Sequence, residues 1–255
     1  MITVSEQTIK EIPCLVVTKD NLQEAPLQTV IYYHGFTSAK EHNLPLAFLL
    51  ARKNFRIVLP DSYLHGEREE SISVKDFQLS FWDIVIKNIE ELNLIKEYLD
   101  ENGLIKNEQI GIAGTSMGGI TTSAALRKYA WVKAGAVLMG SPKLLAFADD
   151  LITVFEKEYG KPLDKEEFAE TFAKIKKLDL AKDITSLAER PLFIWHGDAD
   201  TVVPFKHAYN FYQKAKEYYD NEELIQFSRE KNRDHKVSRA AILSTVSWFE
   251  NHLKT

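Results

Sequence analysis

The chain has 255 residues, enough to bury one large core, and at this size length alone does not force a second domain. Hydrophobic residues make up 45% and charged residues 27%, an ordinary globular balance that excludes a disordered or collagen-like chain. Lys and Arg total 32 against 37 for Asp and Glu, a net charge of -5 with no long basic block, so nucleic acid is not an expected partner.

The amino terminus, MITVSEQTIKEIP, carries neither a basic leader nor an apolar signal core. The longest apolar run, LPLAFLLA (44–51), is too short to span a bilayer, so a cytoplasmic protein without a membrane partner is expected. Cys14 is the single cysteine and lies in the alternating run IPCLVVT (12–18). No internal disulfide can form, no Cys/His cluster offers zinc spacing, and a buried packing role is expected for Cys14.

Taken in chain order, IPCLVVT reads as an antiparallel edge strand, and TVIYYHG (29–35) and FRIVLPD (55–61) as buried strands. Phe81, Ile84, Val85, Ile89, Leu92, Ile95 and Leu99 then recur at the spacing of one helical face, with Gly103 as the stop. A strand at EQIGIAG (108–114) is followed by a helix after Ser116, and further strands at AGAVLMG (134–140), PLFIWHG (191–197) and LIQF precede a closing helix over 238–253. Strands alternating with helices predict an α/β fold: a mostly parallel, doubly wound sheet covered on both faces. The whole chain, 1–255, reads as a single domain.

The stretch 142–190 breaks this rhythm, because it holds charged, helix-prone sequence and no strand pattern. It is read as a helical cap insertion that packs through Phe147, Leu151, Val154, Phe155, Phe168, Phe172 and Ile175 and helps build the substrate pocket, the alternative being a peripheral helical insertion with no bearing on substrate. Trp131, Trp195 and Trp248 are expected in the core.

Gly114-Thr115-Ser116-Met117-Gly118 fits G-x-S-x-G between a strand and a helix. Such a turn is tight and strained, so small neighbours are needed, and it leaves the hydroxyl open at the carboxyl edge of the sheet. A serine hydroxyl is a weak nucleophile until a base takes its proton and a third group orients that base.

Of the later histidines, His196, His207 and His252 fall in strand or helix patterns and read as packing or surface. His235 stands in a polar loop before the last helix and is the expected general base. WHGDADTVVP offers two carboxylates after a strand; Asp200 is preferred as the orienting acid, with Asp198 bracing the turn. For the oxyanion, the expected donors are the backbone N–H groups of Met117 and Phe36, with His34 and Gly35 shaping the loop. LPDSYLHGERE (59–69) could line the pocket through Tyr63, His65 or Arg68, but a loop held by polar contacts is the preferred reading over a metal site.

HGFTSAKE, GTSMGG, HGDADTVVP and the late loop histidine occur in the order used by the α/β-hydrolase superfamily, which the chain resembles over nearly its whole length. Within it, the chain is similar to small bacterial carboxylesterases of the prolyl-oligopeptidase and dienelactone-hydrolase-like branch, of the YitV type. That resemblance implies Ser116 as nucleophile, Asp200 as acid, His235 as base, and Phe36 and Met117 at the oxyanion positions. It departs in three ways. Dienelactone hydrolases use a cysteine where Ser116 stands, prolyl peptidases carry a large propeller domain for which 255 residues leave no room, and Asp234 precedes the late histidine where glycine is often found.

The expected activity is hydrolysis of small, short-acyl carboxylic esters through an acyl-enzyme, with no cofactor and no metal and with a small-molecule ester as the partner. Peptide or amide hydrolysis, or a non-catalytic ligand-binding relative, are the alternatives.

Overall fold

The computed structural model describes residues 1–160, 162, 166 and 168–253. Its strands are β1 (Ile2–Ile9), β2 (Ile12–Lys19), β3 (Leu27–Tyr33), β4 (Arg56–Pro60), β5 (Ile105–Thr115), β6 (Ala134–Leu138), β7 (Leu192–Gly197) and β8 (Ile225–Glu230). They form one sheet in the order β1-β2-β4-β3-β5-β6-β7-β8. From β4 to β8 every neighbouring pair is parallel, while β2 pairs antiparallel with both β1 and β4. This is the α/β-hydrolase architecture expected above.

β2 is not the edge, because β1 lies outside it. The hairpin turns at Lys10 and Glu11, whose φ values of 48° and 70° are both positive, as a tight two-residue turn matching strand twist requires. Neither residue is the Asn or Gly that signals such a turn, and ITVSEQTI faces mostly solvent, so β1 carried little hydrophobic pattern to read.

The helices are α1 (Leu44–Arg52), α2 (Val74–Leu79), α3 (Phe81–Glu101), α4 (Met117–Lys128), α5 (Leu144–Tyr159), α6 (Ala169–Leu178), α7 (Phe205–Ala215) and α8 (Arg239–His252). α3 buries the face read from its spacing, Phe81 through Leu99, and ends where Gly103 takes φ 62° and Leu104 N–H returns to the Leu99 carbonyl. One sheet face, with Ile31, Ile112, Val137 and Ile194, packs under α3, α4 and α5. The other, with Val30, Ile57, Ala113 and Phe193, packs under α1 and α8. Both cores are apolar, as burial on both sides of a parallel sheet requires. No described helix is long and apolar enough to cross a membrane.

Within 142–190, the described parts are α5, α6 and two short 3-10 turns. Phe147 and Ile175 are buried, and the Phe147 ring meets Phe81 and Trp82 edge-on, whereas Val154 is 57% exposed and turns away from the packed face. Arg190 closes the segment by donating to the carbonyls of Leu126 in the last turn of α4 and of Tyr129 and Val132 just beyond it. Trp195 and Trp248 are buried, and Trp131 packs partly buried on Tyr129.

The strand order fixes where a ligand can enter. β3 is flanked by β4 on one side and β5 on the other, so the chain leaves β3 toward α1 on one face and leaves β5 toward α4 on the opposite face. Loops that part in this way open a crevice at the carboxyl ends of the strands.

Candidate active site

The turn from β5 to α4 is held by sterics. Ser116 takes φ 56° and ψ -113°, a conformation that costs a non-glycine residue on the order of 1–3 kcal/mol. Its neighbours permit the turn because they lack side chains. A Cβ on Gly114 would stand 2.3 Å from the Gly118 carbonyl carbon, and one on Gly118 would stand 2.0 Å from the Tyr33 carbonyl oxygen. The Ser116 N–H donates to the Leu138 carbonyl at 2.9 Å, which ties the turn to β6.

His235 reaches this hydroxyl from the loop between β8 and α8. Its Nε2 lies 2.8 Å from Ser116 Oγ, and its Nδ1 lies 2.7 Å from Asp200 Oδ2. Nδ1 faces a carboxylate and therefore carries the hydrogen, which leaves Nε2 as the acceptor for the hydroxyl proton.

Asp200 follows β7 and is locked in place: Oδ1 accepts from the N–H groups of Val202 at 2.8 Å and Val203 at 3.0 Å. Burial alone would raise its pKa, but hydrogen bonds from His196 and His235, with the charge of His235, outweigh burial and hold it well below the usual carboxylate range. Asp198 does brace a turn, though that of the neighbouring loop. It accepts from Asn232 N–H at 2.7 Å and from Arg229, and so fixes the loop that carries His235.

The loop after β3 brings up Phe36. A Cβ on Gly35 would already touch Ser116 Cβ at 3.6 Å, so this loop lies directly against the serine turn. Among the described residues, neither the Phe36 N–H nor the Met117 N–H donates a hydrogen bond.

His34 sets the shape of this loop, as expected. Its Nδ1 donates to the Gly35 carbonyl at 2.8 Å, and its Nε2 accepts from Ser62 N–H at 3.0 Å. Burial lowers its pKa to about 4, which keeps the ring neutral and able to accept. His65 does the same from the loop after β4, where Nδ1 donates to the Tyr63 carbonyl and Nε2 accepts from Thr37 N–H at 3.1 Å.

Two residues that the sequence reading did not single out complete this fastening. Asp61 accepts from the Lys40 N–H at 3.0 Å, from Lys40 Nζ at 2.5 Å and from Glu67 N–H at 3.1 Å. The only trace in the sequence was an acid ending the strand FRIVLPD and a lysine a few residues past HGF. Arg68 forms a two-pronged bond to Glu91 at 2.7 and 2.8 Å and lies over the Tyr63 ring. The 59–69 loop is thus held by polar contacts and does not line the Ser116 cleft.

Residues 87–255 match the prolyl oligopeptidase family. The chain belongs to the prolyl oligopeptidase family. Among curated relatives, this family member is 43% identical to "Putative esterase YitV" of Bacillus subtilis, over 99% of this chain and 100% of that one. It is 26% identical to "Esterase YjfP" of Escherichia coli over the same shares. Among solved structures, TT1662 of Thermus thermophilus superposes with a TM-score of 0.81 at 18% identity, covering 100% of this chain and 99% of that one, which supports the fold.

In this prolyl oligopeptidase family member, Ser116 and His235 open into a cleft of about 370 Å³. Tyr32, Leu46, Met139, Val237 and Ile242 form its apolar walls, and Ser38, His42 and Asn43 a polar end. Its walls come from the α1 and α8 side of the sheet, and among the described residues none that lines it falls within 142–190. α5 and α6 turn their apolar faces to α3 instead, around a separate small cavity of about 40 Å³ between Phe81, Trp82, Leu151 and Phe172. Among the described residues no group of three or more His, Cys, Asp or Glu could hold a metal ion.

His207 binds Asp150 at 2.7 Å and joins α7 to α5, and His252 packs on Trp248, so both are the packing residues expected. His196 differs: its Nε2 lies 3.1 Å from Asp200 Oδ2, a partner that a strand position alone could not reveal.

Proposed function

We propose that the chain is a serine esterase acting on small carboxylic esters, most readily those with short acyl groups, by way of an acyl-enzyme on Ser116. The observation that carries this reading is the unbroken chain of hydrogen bonds from Ser116 Oγ through His235 to Asp200, at 2.8 and 2.7 Å. Ser116 Oγ attacks the ester carbonyl carbon while His235 Nε2 takes its proton. Negative charge then collects on the former carbonyl oxygen, where the Phe36 and Met117 N–H groups receive it. The Met117 N–H opens α4, so the helix end adds a favourable partial charge.

Collapse of this intermediate breaks the ester C–O bond, and His235 returns the proton to the departing alcohol. Water, deprotonated by His235, then attacks the acyl carbon, and the carboxylic acid leaves with Ser116 restored. Asp200 remains ionised throughout and stabilises the imidazolium. A cleft of this volume suits a small ester, and two curated relatives that carry the name esterase support the reaction class.

Labelling with a fluorophosphonate, beside hydrolysis of p-nitrophenyl esters of graded acyl length and a matched p-nitroanilide, tests the reading. We expect an adduct and ester turnover in the wild type, both absent in Ser116→Ala, and rates falling as the acyl chain lengthens. A wild-type protein that forms no serine adduct would establish a ligand-binding relative instead. Faster cleavage of the anilide than of the ester would make it an amidase.

A further inference from the structure

His196 is the penultimate residue of β7, and its ring is fully buried. Its Nε2 stands between two acceptors, Asp200 Oδ2 at 3.1 Å and the Val203 carbonyl oxygen at 3.0 Å, so this nitrogen carries the hydrogen and shares it. Its Nδ1 is buried and, among the described residues, has no hydrogen-bond partner. An unpaired buried nitrogen costs free energy that an apolar side chain at this strand position would avoid. The compensation lies at the other end of the ring. Oδ2 of Asp200 is the same oxygen that His235 Nδ1 contacts at 2.7 Å, while Oδ1 is taken by two backbone N–H groups.

We propose that His196 is a positioning residue for the proton relay: it donates to the same oxygen of Asp200 that His235 contacts, fixes the carboxylate rotamer, and sets how strongly that oxygen pulls on the His235 hydrogen. This rests on the esterase reading for its kinetic consequence and on geometry alone for its effect on His235. His196 is also the foremost of the hydrogen bonds that offset burial and hold the Asp200 carboxyl acidic. A donor on Oδ2 spreads part of the carboxylate charge. Removing it concentrates that charge on the remaining partner, which favours the protonated, cationic form of His235. The other titratable groups around His235 are Asp234 and Lys236 on its own loop and His42 across the cleft, and none of them contacts Asp200.

The test compares wild type with His196→Phe, which lacks the donor, and His196→Gln, which restores an N–H at a similar reach. Proton NMR follows the His235 Nδ1–H resonance against pH, and kcat and KM for p-nitrophenyl acetate are measured over the same range. In His196→Phe we expect His235 to titrate at higher pH, the acid limb of kcat/KM to move with it, and kcat to fall roughly tenfold to a hundredfold at little change in KM. His196→Gln should recover most of each effect. If the phenylalanine variant does not fold beside Phe205, His196→Leu, smaller and equally without a donor, takes its place. An unmoved His235 titration in the donor-less variant overturns the proposal, and so does a glutamine variant that shifts as far as phenylalanine. The NMR arm needs no turnover, so an absence of ester hydrolysis in the wild type would count against the esterase reading alone.

Discussion

Lys40 and Asp61 come from different loops and meet as an ion pair at 2.5 Å with side chains 1% and 0% exposed. The pair joins the segment that presents Phe36 to the segment that follows β4. Burial works against the charge on Lys40, yet Asp61, Glu67 and Glu41 together hold its pKa above the ordinary lysine value. Removing one partner strands the other charge in the interior. Lys40→Met should therefore lower stability by about 3–5 kcal/mol in urea unfolding. Lys40→Met combined with Asp61→Asn, which removes the charge and keeps one acceptor oxygen for one of the two backbone N–H groups, should be more stable than Lys40→Met alone. A double variant less stable than the single one would show that the charge of Asp61 is not what Lys40 neutralises.

The relay predicts graded losses in turnover. Ser116→Ala and His235→Ala should each reduce kcat on p-nitrophenyl acetate by several orders of magnitude, and Asp200→Asn by roughly 10³–10⁴, with circular dichroism unchanged. Asp198→Asn keeps an acceptor for Asn232 N–H and should stay within about tenfold of wild type, since Asp198 contacts Asn232 and Arg229 and none of the three relay groups. If Asp198→Asn lost as much as Asp200→Asn, the choice of acid would have to be revised.

The two unengaged N–H groups predict the geometry of a covalent adduct. In a crystal structure of the fluorophosphonate-labelled protein, the phosphonyl oxygen should lie about 2.7–3.1 Å from both the Phe36 and Met117 nitrogens. An oxygen pointing to bulk solvent would remove these residues from the oxyanion role.

Neutral His34 predicts an acid-sensitive fold. Its pKa is lowered from 6.5 to about 4, so below pH 6.5 the unfolded chain takes up a proton that the folded chain refuses. The stability it contributes is therefore fully present above pH 6.5 and is lost as pH falls from 6.5 toward 4, a change on the order of 3 kcal/mol. Denaturant unfolding at pH 7, 6 and 5 reads this slope. His34→Gln, which can still accept from Ser62 N–H without titrating, should flatten it; an equal slope in the variant would place the acid sensitivity elsewhere.

The sequence by itself determined what short-range physics controls. Apolar spacing marked α3 and the strands β3 through β7, because burial on one helical face or on both sheet faces leaves a pattern within a few residues. The glycines around Ser116 marked the strained turn, because a side chain on Gly114 would collide with Gly118 only four residues on. The tertiary structure decided what depends on strand order and on which loops meet. Asp198 and Asp200 stand two residues apart with the same chemistry, and only the fold turns Asp200 toward a histidine 35 positions away and that histidine toward a serine 119 positions away. For the same reason the Lys40–Asp61 pair, 21 positions apart, went unread, whereas β1 was missed because its mostly solvent-facing residues leave little hydrophobic pattern, and His196 passed for packing because its bond to Asp200 depends on how the turn after β7 folds back.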